Sequence, residues 1–309
     1  MGTLQRIVKN FNLEIPMRFD EPLAPYTTFK VGGPAEAAAF PNNKSQLAEL
    51  LRKATSADIP VTVLGGGANV VVSDGGISGL VVLTGGLNNL YHSGSRLFAG
   101  AGLPVSDAAA YAANHNFQGL AFIYAMPGSV GGAVWMNARC YDGEIAGVLE
   151  SVDYVTLEGE PGTYRTEPSD FGYKVSPFQD GKRVIVEAVF LLAPVDSSVS
   201  GETGLWKRMK EIEEDRRGKG HFDAPCAGSV FKNDRLIGEP SGKVIDRLGL
   251  RGLRRGGAQI SPRHGNIIIN TGNATAREIR DLVTEVRDRV YRETGHVLEP
   301  EILFPGNWT

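Results

Sequence analysis

Three consecutive glycines, Gly65, Gly66 and Gly67, follow the run Val61-Thr62-Val63-Leu64 and lead into Ala68-Asn69-Val70. The β-branched run predicts a buried strand, which the glycines end in a tight loop. With no Cβ atoms in the way, successive backbone N–H groups can converge on a small anion. A phosphate or pyrophosphate suits such a loop. The Rossmann dinucleotide fingerprint does not fit, because it needs a third glycine three positions after the second and then a helix. Val70 stands there instead, and Val71-Val72-Ser73-Asp74-Gly75-Gly76 reads as strand and turn. No Gly-Lys-Ser/Thr sequence occurs, which excludes a P-loop. Glycine clusters are often only tight turns, so this stretch alone is weak evidence of a site.

A second cluster adds weight. Met126-Pro127-Gly128-Ser129-Val130-Gly131-Gly132 runs on to Trp135-Met136-Asn137-Ala138 and again allows close backbone approach. Ser129 and Asn137 can donate hydrogen bonds to a phosphate or a ring edge.

The elements that must hold these loops follow from pattern. At 309 residues, 42% hydrophobic and 22% charged, the chain reads as a soluble globular protein large enough for two cores. A net charge of −3 gives no global field for nucleic acid or an anionic membrane. An anionic substrate must therefore be held by local Lys and Arg. No apolar run approaches membrane-spanning length, and the N-terminus lacks a signal-peptide pattern. The two cysteines, Cys140 and Cys226, give neither a disulfide framework nor metal-ligand spacing, so no metal and a reducing cytoplasm are expected.

Along the chain, a helix and an extended lead-in precede Tyr26–Ala35, which is expected to open the first strand. Asn43 and Gln46 read as a capping box for a helix through Leu47, Leu50, Leu51 and Ala54. Another helix is expected from Val105 to about Asn114. The Ser-, Gly- and Asp-rich residues 195–204 read as a linker. Beyond it, a helix carries Leu205, Met209 and Ile212, and another runs from about Ser241 to Leu248. Thr275 and Glu278 cap the longest helix, with Ile279, Leu282, Val283, Val286 and Val290 as its apolar stripe. Val297–Phe304 reads as a final strand. The first domain is α+β over roughly residues 20–195, and the second half is α+β as well.

Two phosphate-type loops without a Rossmann helix resemble the vanillyl-alcohol-oxidase-like (PCMH-type) FAD-binding domain. Gly65–Asn69 and Met126–Ala138 look like those of the UDP-N-acetylenolpyruvoylglucosamine reductases. Gly228-Ser229-Val230-Phe231-Lys232-Asn233, Gly256-Gly257-Ala258-Gln259, Ala274-Thr275-Ala276 and Leu298-Glu299-Pro300-Glu301 match the same family in order and spacing. The resemblance covers nearly the whole chain and points to the family's shorter subtype. It implies an FAD-binding domain over residues 1–198 and a smaller α+β substrate-binding domain over 199–309, whose C-terminal strand returns to the active site. It also implies the family's chemistry: NADPH reduces FAD, and the hydride then goes to the enolpyruvyl double bond of a UDP-sugar to make UDP-N-acetylmuramate for the cell wall.

By the same resemblance, FAD is held by Leu64, Gly65, Gly66, Gly67, Ala68, Asn69, Val70, Met126, Pro127, Gly128, Ser129, Gly131, Gly132, Asn137 and Ala138. Neither His nor Cys occurs in Leu64–Gly76 to tether it, so the flavin is expected to be non-covalent. Hydride addition leaves charge on the neighbouring carbon and its carboxylate, which calls for a proton donor and for stabilising groups. Ser229 is implied as that donor, although a loop Ser often only caps backbone. Glu301 is implied as the catalytic glutamate, with Glu299 facing the other way along a strand; the plainer reading pairs Glu301 with a surface cation. Lys174 stands where the family usually has Arg and offers a point charge in place of a bidentate fork. Arg139 or Arg165 is the alternative cation. Leu303 replaces an Arg common in relatives. Lys219 and Asn233 match UDP-contacting positions, and Tyr173 and His264 are weaker substrate-side candidates. An FAD-dependent oxidase on the same flavin fold and a non-catalytic flavin or UDP-sugar binding protein are the competing readings.

Overall fold

Leu149, Val152 and Val155 are buried along the strand Leu149–Thr156, which pairs antiparallel with Arg183–Leu191. Together they form the middle of a five-stranded sheet in the order Pro161–Arg165, Leu149–Thr156, Arg183–Leu191, Arg96–Gly100, Leu90–Ser93. The helices Val105–Asn114 and Val130–Trp135 add Ala108, Ala112, Val130 and Val134 to the core that holds Val152 and Phe190. A separate four-stranded sheet runs Met17–Pro22, Pro34–Ala39, Ile77–Leu83, Val61–Leu64, and its last two strands are parallel. The helix Lys44–Ser56 covers it with Leu47, Leu50, Leu51 and Ala54. The first glycine loop starts where Val61–Leu64 ends.

A computed structural model describes residues 2–195, 204–234 and 237–308. They divide into two units that interleave in sequence. The first comprises Met1–Phe19, Glu36–Gly66 and Gly79–Glu214; the second comprises Asp20–Ala35, Gly67–Ser78 and Asp215–Thr309. Most of the expected 195–204 linker, with the 198/199 domain boundary, lies outside the described residues.

The second unit is built on an antiparallel sheet in the order Cys226–Ser229, Ile267–Asn270, Ala258–Ile260, Arg254–Arg255. The helix Ala276–Thr294 lies in the same core through the fully buried stripe Ile279, Leu282, Val283, Val286 and Val290. Three of these are valines, which cost a helix a few tenths of a kcal/mol each against Ala. Burial of each such side chain returns about 1.5–3 kcal/mol, so packing decides the element. The capping box is present as expected, and Gly295 ends the helix at φ 74°. Asp74 adds a second cap, its carboxylate accepting from the Ala276 and Arg277 N–H groups at 2.9 Å each.

Several sequence expectations need correction. Tyr26–Ala35 opens a strand only at its end: Ala24–Tyr26 is a 3-10 turn, the strand is Pro34–Ala39, and Met17–Pro22 is an earlier one. Asn43 caps its helix through the Gln46 N–H, but the Gln46 side chain reaches the Asn42 N–H, so the box is not closed. Val297–Phe304 forms no regular strand; it makes single bridges at Pro300 and Leu303. Pro300 and Pro305 supply no N–H there, which limits the ladder.

Candidate functional site

In the first unit, Ser129 holds the beginning of the first glycine loop against the second. Its buried Oγ accepts from the Gly66 N–H at 3.2 Å and from the Gly132 N–H at 3.3 Å, capping the helix Val130–Trp135. A Cβ on Gly66 would lie 2.7 Å from Gly128 Cα, and one on Gly65 would lie 2.4 Å from Ser129 Oγ. Glycine is therefore required there by the approach of the two loops. Among the described residues, the Gly128 and Ser129 N–H groups make no hydrogen bond within the protein. Unpaired donors in a glycine cradle fit an anionic group such as the flavin pyrophosphate. Leu64, Asn137 and Ala138 turn their side chains into the protein. Asn137 donates from Nδ2 to Gly172 O at 3.0 Å and accepts at Oδ1 from the Ala146 N–H at 3.0 Å, so its amide orders the loop from behind.

That amide also ties in the turn carrying Tyr173 and Lys174. Gly172 and Val175 exchange backbone hydrogen bonds across this turn, with Lys174 in the left-handed region at φ 61°. Gln179 Nε2 donates to Lys174 O at 3.0 Å and to Trp135 O at 2.8 Å, and Ser176 Oγ donates to the same Trp135 O at 2.7 Å. The turn is thus fastened to the end of the helix that follows the second glycine cluster. Lys174 Nζ lies 5.9 Å from the centre of the exposed Tyr173 ring.

In the second unit, the rest of the first loop meets the C-terminal segment. Gly67 has φ 59°, and a Cβ there would lie 2.0 Å from Tyr26 O. Among the described residues, the Gly67 and Ala68 N–H groups have no acceptor within the protein, as an anion-binding loop requires. Asn69 Nδ2 donates to Glu301 O at 3.0 Å, the Leu303 N–H donates to Asn69 O at 2.9 Å, and the Val71 N–H donates to Leu303 O at 2.8 Å. On its other side, the Glu301 N–H donates to Val230 O at 2.7 Å. The segments carrying Ser229 and Glu301 therefore lie side by side, next to the exit of the glycine loop. Glu299 points outward onto Lys232 Nζ at 2.6 Å, while Glu301 is half-buried.

Gly228, at φ 69°, sits in the register shift between Cys226 and Ser229. Nothing lies within 4 Å of a Cβ built there, so backbone conformation, and not a close neighbour, asks for glycine. Asn266, which the sequence reading did not single out, clamps the next residues. Its side chain accepts from the Phe231 N–H and donates to Phe231 O at 2.8 Å each, and its carbonyl takes the Val230 N–H at 2.9 Å. A buried Asn ahead of the apolar run Ile267–Ile269 signals that its amide must have partners, though not which.

The substrate-side candidates lie in the same unit, except Tyr173. Lys219 pairs with Asp215 at 2.6 Å on an exposed helix end, and Asn233 Oδ1 accepts from the Ser241 N–H at 3.0 Å. His264 Nδ1 accepts from the Asn266 N–H at 3.1 Å, and its ring centre is 6.4 Å from that of His221. Burial lowers the pKa of both, with His221 pushed down to about 4 by burial and then by Arg216, so both are neutral at pH 7.

A model of an FAD binding domain matches residues 35–162, and a model of the UDP-N-acetylenolpyruvoylglucosamine reductase C-terminal domain matches residues 220–304. The chain is 39% identical to the UDP-N-acetylenolpyruvoylglucosamine reductase of Treponema denticola over the full length of both. It is 38% identical to that of Streptococcus pneumoniae, covering 94% of this chain and 95% of that one. It resembles the crystal structure of the Thermus caldophilus reductase at a TM-score of 0.76 and 32% identity, over 95% of this chain and 100% of that one. Loops, domains and full-length likeness agree: the chain belongs to the UDP-N-acetylenolpyruvoylglucosamine reductase family.

Proposed function

We propose that this protein, an FAD-containing oxidoreductase, uses NADPH to reduce the enolpyruvyl group of UDP-N-acetylenolpyruvoylglucosamine, giving UDP-N-acetylmuramate for peptidoglycan synthesis. The observation that carries the reading is the pairing of the Ser229 and Glu301 segments beside the exit of the glycine loop, in a chain related over its full length to these reductases. We assign flavin binding to the first unit together with the Gly67–Val70 segment, and substrate binding to the second unit through Lys219, Asn233 and His264. Held by the glycine loops at Gly65–Val70 and Met126–Ala138, bound FAD would supply the hydride chemistry that links NADPH to the terminal vinyl carbon. The chain's own groups do the rest. Ser229 Oγ gives a proton to the neighbouring carbon, and Lys174 offsets charge developing on the substrate carboxylate. Glu301 hydrogen-bonds that carboxylate. Cys140 and Cys226 are not joined in a disulfide, and we assign the reaction to the reducing cytoplasm; among the described residues no helix is long and apolar enough to cross a membrane. The test is to supply NADPH and the UDP-sugar and weigh the product. A gain of two hydrogens supports the reading; NADPH consumed with only oxygen reduced would favour the oxidase.

Two variants examine the supporting parts. Gly66→Ala sets a methyl 2.7 Å from Gly128 Cα, and overpacking of that kind costs about 1–3 kcal/mol. FAD affinity should fall roughly 5- to 150-fold on that scale, read as flavin content after gel filtration and by titration. Unchanged flavin retention would remove the cradle role. For Lys174, Arg should keep substantial turnover, and Ala should lose about 10²–10³-fold, as when one charge-stabilising donor is removed. Lys already occupies the left-handed conformation, so neither replacement introduces a new backbone strain. Normal kinetics in Lys174→Ala would transfer the role to another cation.

A further inference from the structure

We propose that His92 and His115 form a surface site for a divalent transition-metal ion of the copper, nickel and zinc class. His92 lies on the edge strand Leu90–Ser93, and His115 is the C-cap of the helix Val105–Asn114. Both are exposed, and their ring centres are 4.7 Å apart. His115 Nδ1 is 2.8 Å from Tyr111 O. A carbonyl only accepts, so Nδ1 carries the proton and the lone pair of the neutral ring is on Nε2. The same ring N–H to carbonyl contact orients metal-ligating histidines generally. His92 Nδ1 is 3.0 Å from the Tyr111 hydroxyl, and with that hydroxyl accepting, His92 also presents Nε2. Among the described residues, neither Nε2 has a hydrogen-bond partner.

The rings are held before any ion arrives. Tyr111 stacks on His115 at 4.1 Å, and Phe117 meets His92 edge-on at 5.3 Å, so little side-chain freedom remains to be lost on binding. The partial negative charge at the helix C-terminus favours a cation beside His115. Two imidazoles without thiolate or carboxylate select copper, nickel and zinc over magnesium and calcium. Among the described residues no group of three or more His, Cys, Asp or Glu is placed to hold a metal, so water would complete the coordination. The bound ion would staple the edge strand to the helix end.

The test is calorimetric titration of the untagged, flavin-loaded full chain with Cu²⁺, Ni²⁺, Zn²⁺ and Mg²⁺. One Cu²⁺, Ni²⁺ or Zn²⁺ should bind per chain, and Mg²⁺ should not. His92→Ala and His115→Ala should each weaken binding at least about tenfold, the loss seen when even an outer-shell partner of a metal ligand is removed. His296→Ala should leave it unchanged. A fixed excess of Zn²⁺ should raise the Tm of the wild-type protein more than that of either site variant. No stoichiometric binding, or binding equally strong in both site variants, overturns the proposal.

Discussion

Ser229→Ala slows reduction of the UDP-sugar by about 10²–10⁴-fold, roughly 3–5 kcal/mol of barrier, while NADPH bleaches the flavin at close to the wild-type rate. The first number is what a positioned proton donor contributes; the second follows because the hydroxyl has no part in NADPH oxidation. Its neighbours are held by backbone groups and Asn266, and among the described residues Ser229 Oγ makes no hydrogen bond within the protein. Removing it should leave the fold intact. Asn266→Ala is the useful contrast, because it leaves the Phe231 N–H and C=O without their buried partner, about 1–3 kcal/mol each, and should lower Tm as well as activity. Equal slowing of both half-reactions in Ser229→Ala would mean that the residue acts by placing the flavin.

The second large effect is expected at Glu301. Glu301→Ala loses most substrate-dependent reoxidation of the flavin, Glu301→Gln keeps more of it, and NADPH-driven bleaching is similar in both. The charge of the chemical step develops on the substrate carboxylate. A hydrogen-bond donor at position 301 beside that carboxylate would stabilise the developing charge. Gln keeps a donor at nearly the same place; Ala has none. The backbone at 301 is fixed independently of the side chain by Val230 and Asn69, so both variants hold the segment in place. Stopped-flow traces without oxygen separate the steps. If Gln is as impaired as Ala, the hydrogen-bond role is wrong and a proton transfer or an ionised carboxylate is needed.

Local signals read well where chain chemistry alone decides the outcome. The Thr275–Glu278 box and the apolar stripe behind it give the helix Ala276–Thr294, and the glycine loops are where their composition puts them. The misses are non-local. Periodicity says which face of an element is apolar, but not which partner covers it. Hence the grouping of Asp20–Ala35 and Gly67–Ser78 with the C-terminal residues was not legible. Nor were the side-chain partners that order the candidate site. Ser129 Oγ accepts from two loop N–H groups and the Asn137 amide serves Gly172 and Ala146, partners that residue type alone does not show. Val297–Phe304 reads as a strand in sequence, but it makes only single bridges at Pro300 and Leu303.

One flavoprotein is proposed to take hydride from NADPH and deliver it to an enolpyruvyl UDP-sugar. The direct measurement mixes the purified yellow protein with one equivalent of NADPH under strict anaerobiosis, follows the flavin absorbance, and then adds UDP-N-acetylenolpyruvoylglucosamine. The flavin band should be lost with NADPH and return in full with the UDP-sugar, one UDP-N-acetylmuramate appearing per flavin reoxidised. A band that bleaches and returns only when oxygen is admitted would contradict it.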